Sequence, residues 1–228
     1  MDAHETLDAR IYRHFIAHHL PGKPTPIMAG LARWDAATAG RVDRFLANSQ
    51  YVAGRIQRYY NRRSTVVYPP VDTDFYTPEP RPDTVPGAGF LVVSALVPYK
   101  RIEIAIEACR RVRVPLTVVG RGPELDRLQR LAGPDVRFAG WLDDEGVREL
   151  YRNSTAVLLP GVEDFGMVPV EAQACGTPAV ALGRGGSAET IIDGLTGALV
   201  DEPTVEAFAA GLERVAALRR DTRAIRAN

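Results

Sequence analysis

A chain of 228 residues with 46% apolar composition can bury a sizeable core, which excludes the disordered class. Its 28 Lys and Arg balance 28 Asp and Glu, so there is no global field of the kind that nucleic acid or an acidic partner would call for. The two cysteines, Cys109 and Cys175, lie in apolar helical patterns without CxxC or Cys/His spacing; they read as small buried hydrophobes of a reducing cytoplasm, not as a disulfide framework or metal site.

The polar start MDAHETLDAR is not a signal peptide, and no apolar run approaches the roughly 18 residues of a membrane span, so a cytoplasmic protein is expected. Residues 1–63 read mostly as helix, with a strand-like RFLANS (44–49) running into the helix QYVAGRIQRYY. Ten basic residues against five acids give this segment a local charge of +5. That surplus reads as a solvated helical face, with association to an anionic membrane surface as the alternative. All four histidines, His4, His14, His18 and His19, lie here. His14 and His18 share a helical face, but no third ligand accompanies them, and no metal is expected. STVVYPPVDTDFYTPEPRPDTVPG then reads as a strand and a proline-rich linker. The expected organisation is a mostly helical region over 1–70, a linker over 71–89, a Rossmann-like domain over 90–220 and a tail over 221–228. One strand and a few helices do not complete a sheet domain, so the chain is expected to be a fragment.

From Phe90 on, apolar runs alternate with helical stretches, the pattern of a parallel sheet with crossover helices. The runs are FLVVS (90–94), LTVVG (116–120), VRFAG (136–140), TAVLLP (155–160), PAVAL (178–182) and GALV (197–200). Between them lie IEIAIEACRRV, ELDRLQRLA, DEGVRELYRN, VPVEAQACG and SAETIID, and a last helix is expected over about 204–220. Such continuously apolar strands are buried on both faces, as in an α/β doubly wound, Rossmann-like parallel sheet.

Ligands of open α/β sheets bind at the carboxyl ends of the strands, which singles out three loops. SALVPYKR sets Lys100 and Arg101 before a helix, where a cation beside free N–H groups suits a phosphate; a plain surface cation is the alternative. In LLPGVEDFGMVPVEAQACG, the amides of Gly166, Met167 and Val168 open a helix as an anion site, flanked by Glu163 and Glu171. Carboxylates beside a phosphate are tolerable if each accepts hydrogen bonds from sugar hydroxyls, although an acid in a first turn also simply complements the helix dipole. ALGRGGSAETI adds Gly185 and Gly186 after a strand; the GxGxxG fingerprint is absent there and at GRGPEL (120–125). Trp141 reads as a packing residue that also lies near where a base could stack.

EDFGMVPVEAQACGTPAVALGRGGSAETIIDGLTGALV resembles the signature of the group 1, or family 4, glycosyltransferases: E-x-F-G, a second Glu at fixed spacing, G-x-P-V and G-G-x-x-E. LVVSALVPYKRIEIAIEA is similar to the family's first loop, and RFLANSQYVAGRIQRYYNR with VVYPPVDTDFYTP to its inter-domain passage, so the resemblance covers about residues 33–215. It implies a GT-B fold, with 90–220 as the C-terminal, donor-binding half and 1–70 as the helical remnant of the acceptor-side domain. It also implies retaining transfer of a hexose, with a lean to mannose, from a nucleoside-diphosphate sugar to a glycan or lipid-linked acceptor, without a bound metal. Glu163 and Lys100 would act at the reacting centre and on the diphosphate, with Arg101 and the Phe165, Gly166, Met167 and Val168 backbone beside them. Glu171 would take the ribose; Gly120, Arg121, Trp141 and Leu142 would border the base, and Gly185 and Gly186 the third loop. The chain departs from the family at Ser94-Ala95-Leu96, where many members have G-R-L and a phosphate-binding arginine. The family's last helix also crosses back to the N-terminal domain, and here it is expected to be cut short at Asn228. The alternative function is a non-catalytic nucleotide-sugar binding module needing a separate acceptor-binding chain; a sugar-nucleotide epimerase of the same fold is a third reading.

Overall fold

A strand covered on both faces has no solvent side, so each of its positions must be apolar or small. The runs FLVV, LTVV, VLL and AVAL meet that condition, and they form the centre of the structure. The computed structural model describes residues 26–79, 89–218 and 221–228. The chain divides into two units, Met1–Pro69 and Pro70–Asn228. The four histidines, and the helical expectation for residues 1–25, lie outside the described residues.

In the first unit, helix α1 (Pro26–Thr38) and a 3-10 turn (Ala39–Arg41) precede strand β1 (Phe45–Ala47), helix α2 (Gln50–Tyr60) and strand β2 (Ser64–Val66). β1 and β2 pair in parallel, with Phe45 opposite Ser64. Ser49 starts α2 by accepting the Val52 N–H at 3.0 Å, which is why the strand-like RFLANS gives way to helix there. Asn61 ends α2 in the left-handed conformation, φ 51°.

The second unit carries strands β3 (Phe90–Val93), β4 (Leu116–Val119), β5 (Val136–Gly140), β6 (Val157–Leu159), β7 (Ala179–Leu182) and β8 (Gly197–Val200). Helices α3 (Ile102–Val112), α4 (Leu125–Leu131), α5 (Asp144–Asn153), α6 (Met167–Ala174), α7 (Ser187–Thr190), α8 (Val205–Ala217) and α9 (Thr222–Ala227) follow or connect them. The sheet order is β5-β4-β3-β6-β7-β8, with every neighbouring pair parallel. Counted from its own first strand this is the doubly wound order, in which winding reverses between β3 and β6. Side chains alternate between the two faces with the period of two that strands impose. Phe90, Val92, Leu116, Val118, Leu158 and Val180 pack with Ile106 of α3 and Phe208 of α8. Leu91, Val119, Val157, Leu159 and Ala179 pack with Tyr151 of α5 and Ala172 of α6. Both thiols are buried and free, and burial pushes Cys109 up to about 12 and Cys175 up to about 11.

Some elements differ from their expected extents. The helix expected over SAETIID stops at Thr190, because Ile191 turns extended and is drawn into the core at 4% exposure. The last long helix ends at Ala217, and residues 222–227 form α9 instead of a bare tail. Asp221 caps α9 and Ile225 is buried. Arg226 donates to the carbonyls of Thr73 and Tyr76, each at 2.7 Å, and to that of Ala174. Residues 71–79, expected as linker, are thus tied to the second unit, and Arg152 adds a 2.7 Å bond to the Thr77 carbonyl. No helix among the described residues is long and apolar enough to cross a membrane.

Candidate active site

The switch point is flanked by the loop after β3 and the loop after β6, and main-chain contacts fix both. In the first, Leu96 is fully buried, its amide donates to Arg121 O at 2.8 Å, and its carbonyl accepts the Glu124 N–H at 3.0 Å. A 3-10 turn, Pro98–Lys100, then presents Lys100 on a rigid base. The second loop comes close because residue 161 is glycine: a Cβ there would lie 2.6 Å from the Tyr99 carbonyl oxygen and 2.9 Å from Lys100 Cα. The consequence is an ion pair across the switch point. Lys100 Nζ donates to both carboxylate oxygens of Glu163, at 2.6 and 2.7 Å, and each side chain is only 18% exposed.

The third loop is zipped to the second. Gly186 N–H donates to the Glu163 carbonyl at 2.8 Å, and Gly185 pairs with Glu163 as an isolated parallel bridge. A Cβ at residue 186 would sit 2.3 Å from Phe165 Cα, so only glycine lets the loops meet. Immediately after this junction Gly166, at φ 90°, opens α6 with no side-chain cap, and Pro169 stands in the first turn, where its missing donor is no loss. The first turn of α6 contains no acidic residue of its own, and its first N–H groups carry the positive end of the helix dipole. Phe165 is buried, so it offers this place only its main chain. Beside Gly166, the Ser187 hydroxyl is buried with no hydrogen-bond partner among the described residues.

Glu171 sits one turn further into α6. Its Oε2 accepts a 2.7 Å hydrogen bond from the hydroxyl of Tyr151, a fully buried residue of α5. Burial raises the Glu171 carboxyl above its usual range; the Tyr151 hydroxyl draws it back down, and nearby Asp144 pushes it up again. Burial, then the Glu171 charge, raises Tyr151 well above the ordinary phenol value and Tyr76 up to about 12. Tyr151 is therefore a proton-bearing donor at neutral pH.

Comparison with known proteins gives this arrangement its setting. The family described as glycosyl transferases group 1 matches residues 86–228, and that described as Glycosyltransferase Family 4 matches residues 4–75. The chain belongs to the group 1 glycosyl transferases. It is 32% identical over 185 residues to a D-inositol 3-phosphate glycosyltransferase of Mycobacterium sp. (strain KMS), covering 70% of this chain and 41% of that one. It is 33% identical over 188 residues to a GDP-mannose-dependent alpha-(1-6)-phosphatidylinositol monomannoside mannosyltransferase of Mycolicibacterium smegmatis, covering 70% of this chain and 49% of that one. The chain thus spans less than half the length of these two relatives. Among solved structures, sucrose-phosphate synthase from Thermosynechococcus elongatus has a TM-score of 0.76 at 21% identity, over 94% of this chain and 60% of that one. Anabaena HepE in complex with UDP and glucose has a TM-score of 0.68 at 24% identity, over 86% of this chain and 64% of that one. The GT-B fold expected from the sequence is the fold these neighbours share with it.

Within this group 1 chain, the structure brings together some of the residues singled out in the sequence and separates others. Lys100 meets Glu163, and Gly185 and Gly186 seat against the Glu163–Phe165 backbone. Arg101, left-handed at φ 54°, bonds Glu103 at 2.8 Å, and Glu103 also receives Arg127 at 3.3 Å; Arg101 is thus engaged by a neighbouring acid on its own helix. The Arg121 guanidinium lies 5.6 Å from the centre of the exposed Trp141 ring, while Leu142 packs inward. Val168 also joins the core, and Met167 is half-buried. Gly120 N–H donates to Gly140 O at 2.7 Å, which joins the loops after β4 and β5. Where the G-R-L arginine is absent, the Ser94 hydroxyl bonds the adjacent Ala95 carbonyl at 3.0 Å. Among the described residues no three His, Cys, Asp or Glu side chains cluster as a metal site. Sequence reasoning missed Gly161 and Tyr151. Nothing in the sequence marks the first beyond its place in a loop, and the second, four positions after Val147, lies on the core stripe of an amphipathic helix.

Proposed function

We propose that the Pro70–Asn228 unit binds a nucleoside-diphosphate hexose and serves its retaining transfer to a glycan or lipid-linked acceptor. The observation that carries this reading is the Lys100–Glu163 pair at the switch point, three residues before the glycine that opens α6. A diphosphate at that place takes the ammonium of Lys100 and the α6 amides, which stabilise the charge that builds as the nucleotide leaves. Glu163, released from the lysine, accepts hydrogen bonds from the hexose, and Glu171 accepts them from the ribose. The unpartnered Ser187 hydroxyl supports an oxygen-rich ligand here. Arg121 and Trp141 border the base. Transfer of mannose is supported by the name of the mannosyltransferase relative, and a lipid-linked acceptor by the same name. Peripheral attachment at the inner membrane face fits the basic surplus of residues 1–63.

Thermal-shift titration of the chain with UDP, GDP, ADP and their hexose conjugates tests the reading. At about 100-fold saturation a specific ligand adds about 2.7 kcal/mol, or roughly 5–10 °C in Tm. One selectively stabilising diphosphate identifies the base; no shift with any of them overturns the proposal. In the same titration Glu163→Gln is expected to bind the bare diphosphate more tightly, by up to about fivefold, because Lys100 no longer has to leave a partner worth up to roughly 1 kcal/mol. The same substitution should shrink the preference for the sugar conjugate. Weaker binding of the bare diphosphate would mean that Glu163 does not hold Lys100 back.

A further inference from the structure

Tyr151 is fixed on every side. Its ring is fully buried among Leu91, Val157, Leu159 and Cys175, Tyr76 lies 6.0 Å away between ring centres, and its main-chain carbonyl accepts the Thr177 hydroxyl at 2.6 Å. A hydroxyl on so rigid a support can hold an acceptor in one place. That acceptor is Glu171 Oε2 at 2.7 Å, while Oε1 receives no hydrogen bond among the described residues. A glutamate with three side-chain torsions would otherwise spread over several rotamers.

We infer that Tyr151 is a positioning residue of the donor site: its hydroxyl clamps one oxygen of Glu171 and so turns the other toward the ribose hydroxyls. The inference rests on the assignment of Glu171 to the ribose in the proposed function. It reaches a residue in a different helix, 20 positions earlier in the chain. A tyrosine that only filled the core would need its ring and not its oxygen. Removing the oxygen leaves the ring in place and frees the carboxylate to rotate.

The test compares a nucleoside diphosphate with its 2′-deoxy form, using UDP and GDP, on the full chain. Tyr151→Phe is expected to lower the ribo-to-deoxy affinity ratio about fivefold, the loss of one net hydrogen bond, with deoxy binding unchanged. Glu171→Ala, measured alongside, should abolish the ratio. If Glu171→Ala loses the ratio and Tyr151→Phe keeps it, Tyr151 is a core residue only and the inference falls. If Glu171→Ala itself keeps the ratio, the ribose assignment falls first, and the inference falls with it. Should Tyr151→Phe fail to fold because a buried carboxylate has lost its donor, the double variant Tyr151→Phe/Glu171→Gln removes that charge. Its ratio should equal that of Glu171→Gln alone, and a further drop would show Tyr151 acting by another route.

Discussion

Replacing Lys100 with alanine is expected to weaken nucleoside-diphosphate binding by about 10- to 100-fold, the loss of a hydrogen bond to a charged group worth about 1.5–3 kcal/mol. Nucleoside monophosphates, which lack the outer phosphate, should change little. The physical reason lies in how the cation is held. Its backbone is locked in the 3-10 turn against Gly161, and its ammonium is paired with Glu163 and lies 5.1 Å from the Tyr99 ring centre. Under the proposed function a diphosphate would thus meet a preoriented charge in place of a solvated, wandering one. Folding should barely respond, since a partly exposed ion pair contributes little and Glu163 can rehydrate. Calorimetric titration with UDP, UMP, GDP and GMP checks this. An unchanged diphosphate-to-monophosphate ratio removes Lys100 from the phosphate site.

The second large effect is on stability. Gly120→Ala is expected to lower the Tm by roughly 5–15 °C, from about 2–5 kcal/mol of combined backbone strain and overpacking. Gly120 has φ 134°, and a Cβ there would lie 1.8 Å from the Ser94 carbonyl oxygen. Neither atom belongs to a flexible side chain, so β3 and β4 would have to part where Ser94 N–H bonds Val119 O at 3.0 Å. Because the first loop leaves that junction, diphosphate binding should fall as well. Gly133→Ala is the control: a Cβ there meets nothing within 4 Å, and its Tm should stay within about 2 °C. Equal melting of the two variants would mean that the loop junction yields.

The sheet was legible in the sequence because β3, β4, β6 and β7 are apolar on both faces, and no other element demands that. That Lys100, Glu163 and the glycine loop share one edge of the sheet was legible for a related reason: each lies in the loop that follows such a strand. What stayed hidden depends on contacts across the chain. Residues 71–79 look like linker by their prolines and acids, yet the Phe75 ring lies 4.3 Å under Arg148, and Tyr76 packs near Tyr151. TRAIRAN has almost no apolar stripe, and only Ile225 is buried; α9 is held largely by Arg226 on three carbonyls. Arg101 and Lys100 are adjacent and chemically alike, and only the left-handed turn at Arg101 sends one to Glu103 and the other to Glu163.

The floor beneath the candidate site is nearly all main chain: Ser94 to Val119, Leu96 to Arg121, Gly120 to Gly140 and Gly186 to Glu163. Such a floor does not depend on which side chains stand on it. Exposed positions such as Arg121, Trp141 and Val162 can therefore be exchanged one at a time without disturbing the loops, whereas the glycines beneath them cannot. Divergence among descendants of such a scaffold would run along the rim and, under the proposed function, would alter which base or hexose is accepted, while the carboxylates, the lysine and the glycines stay unchanged.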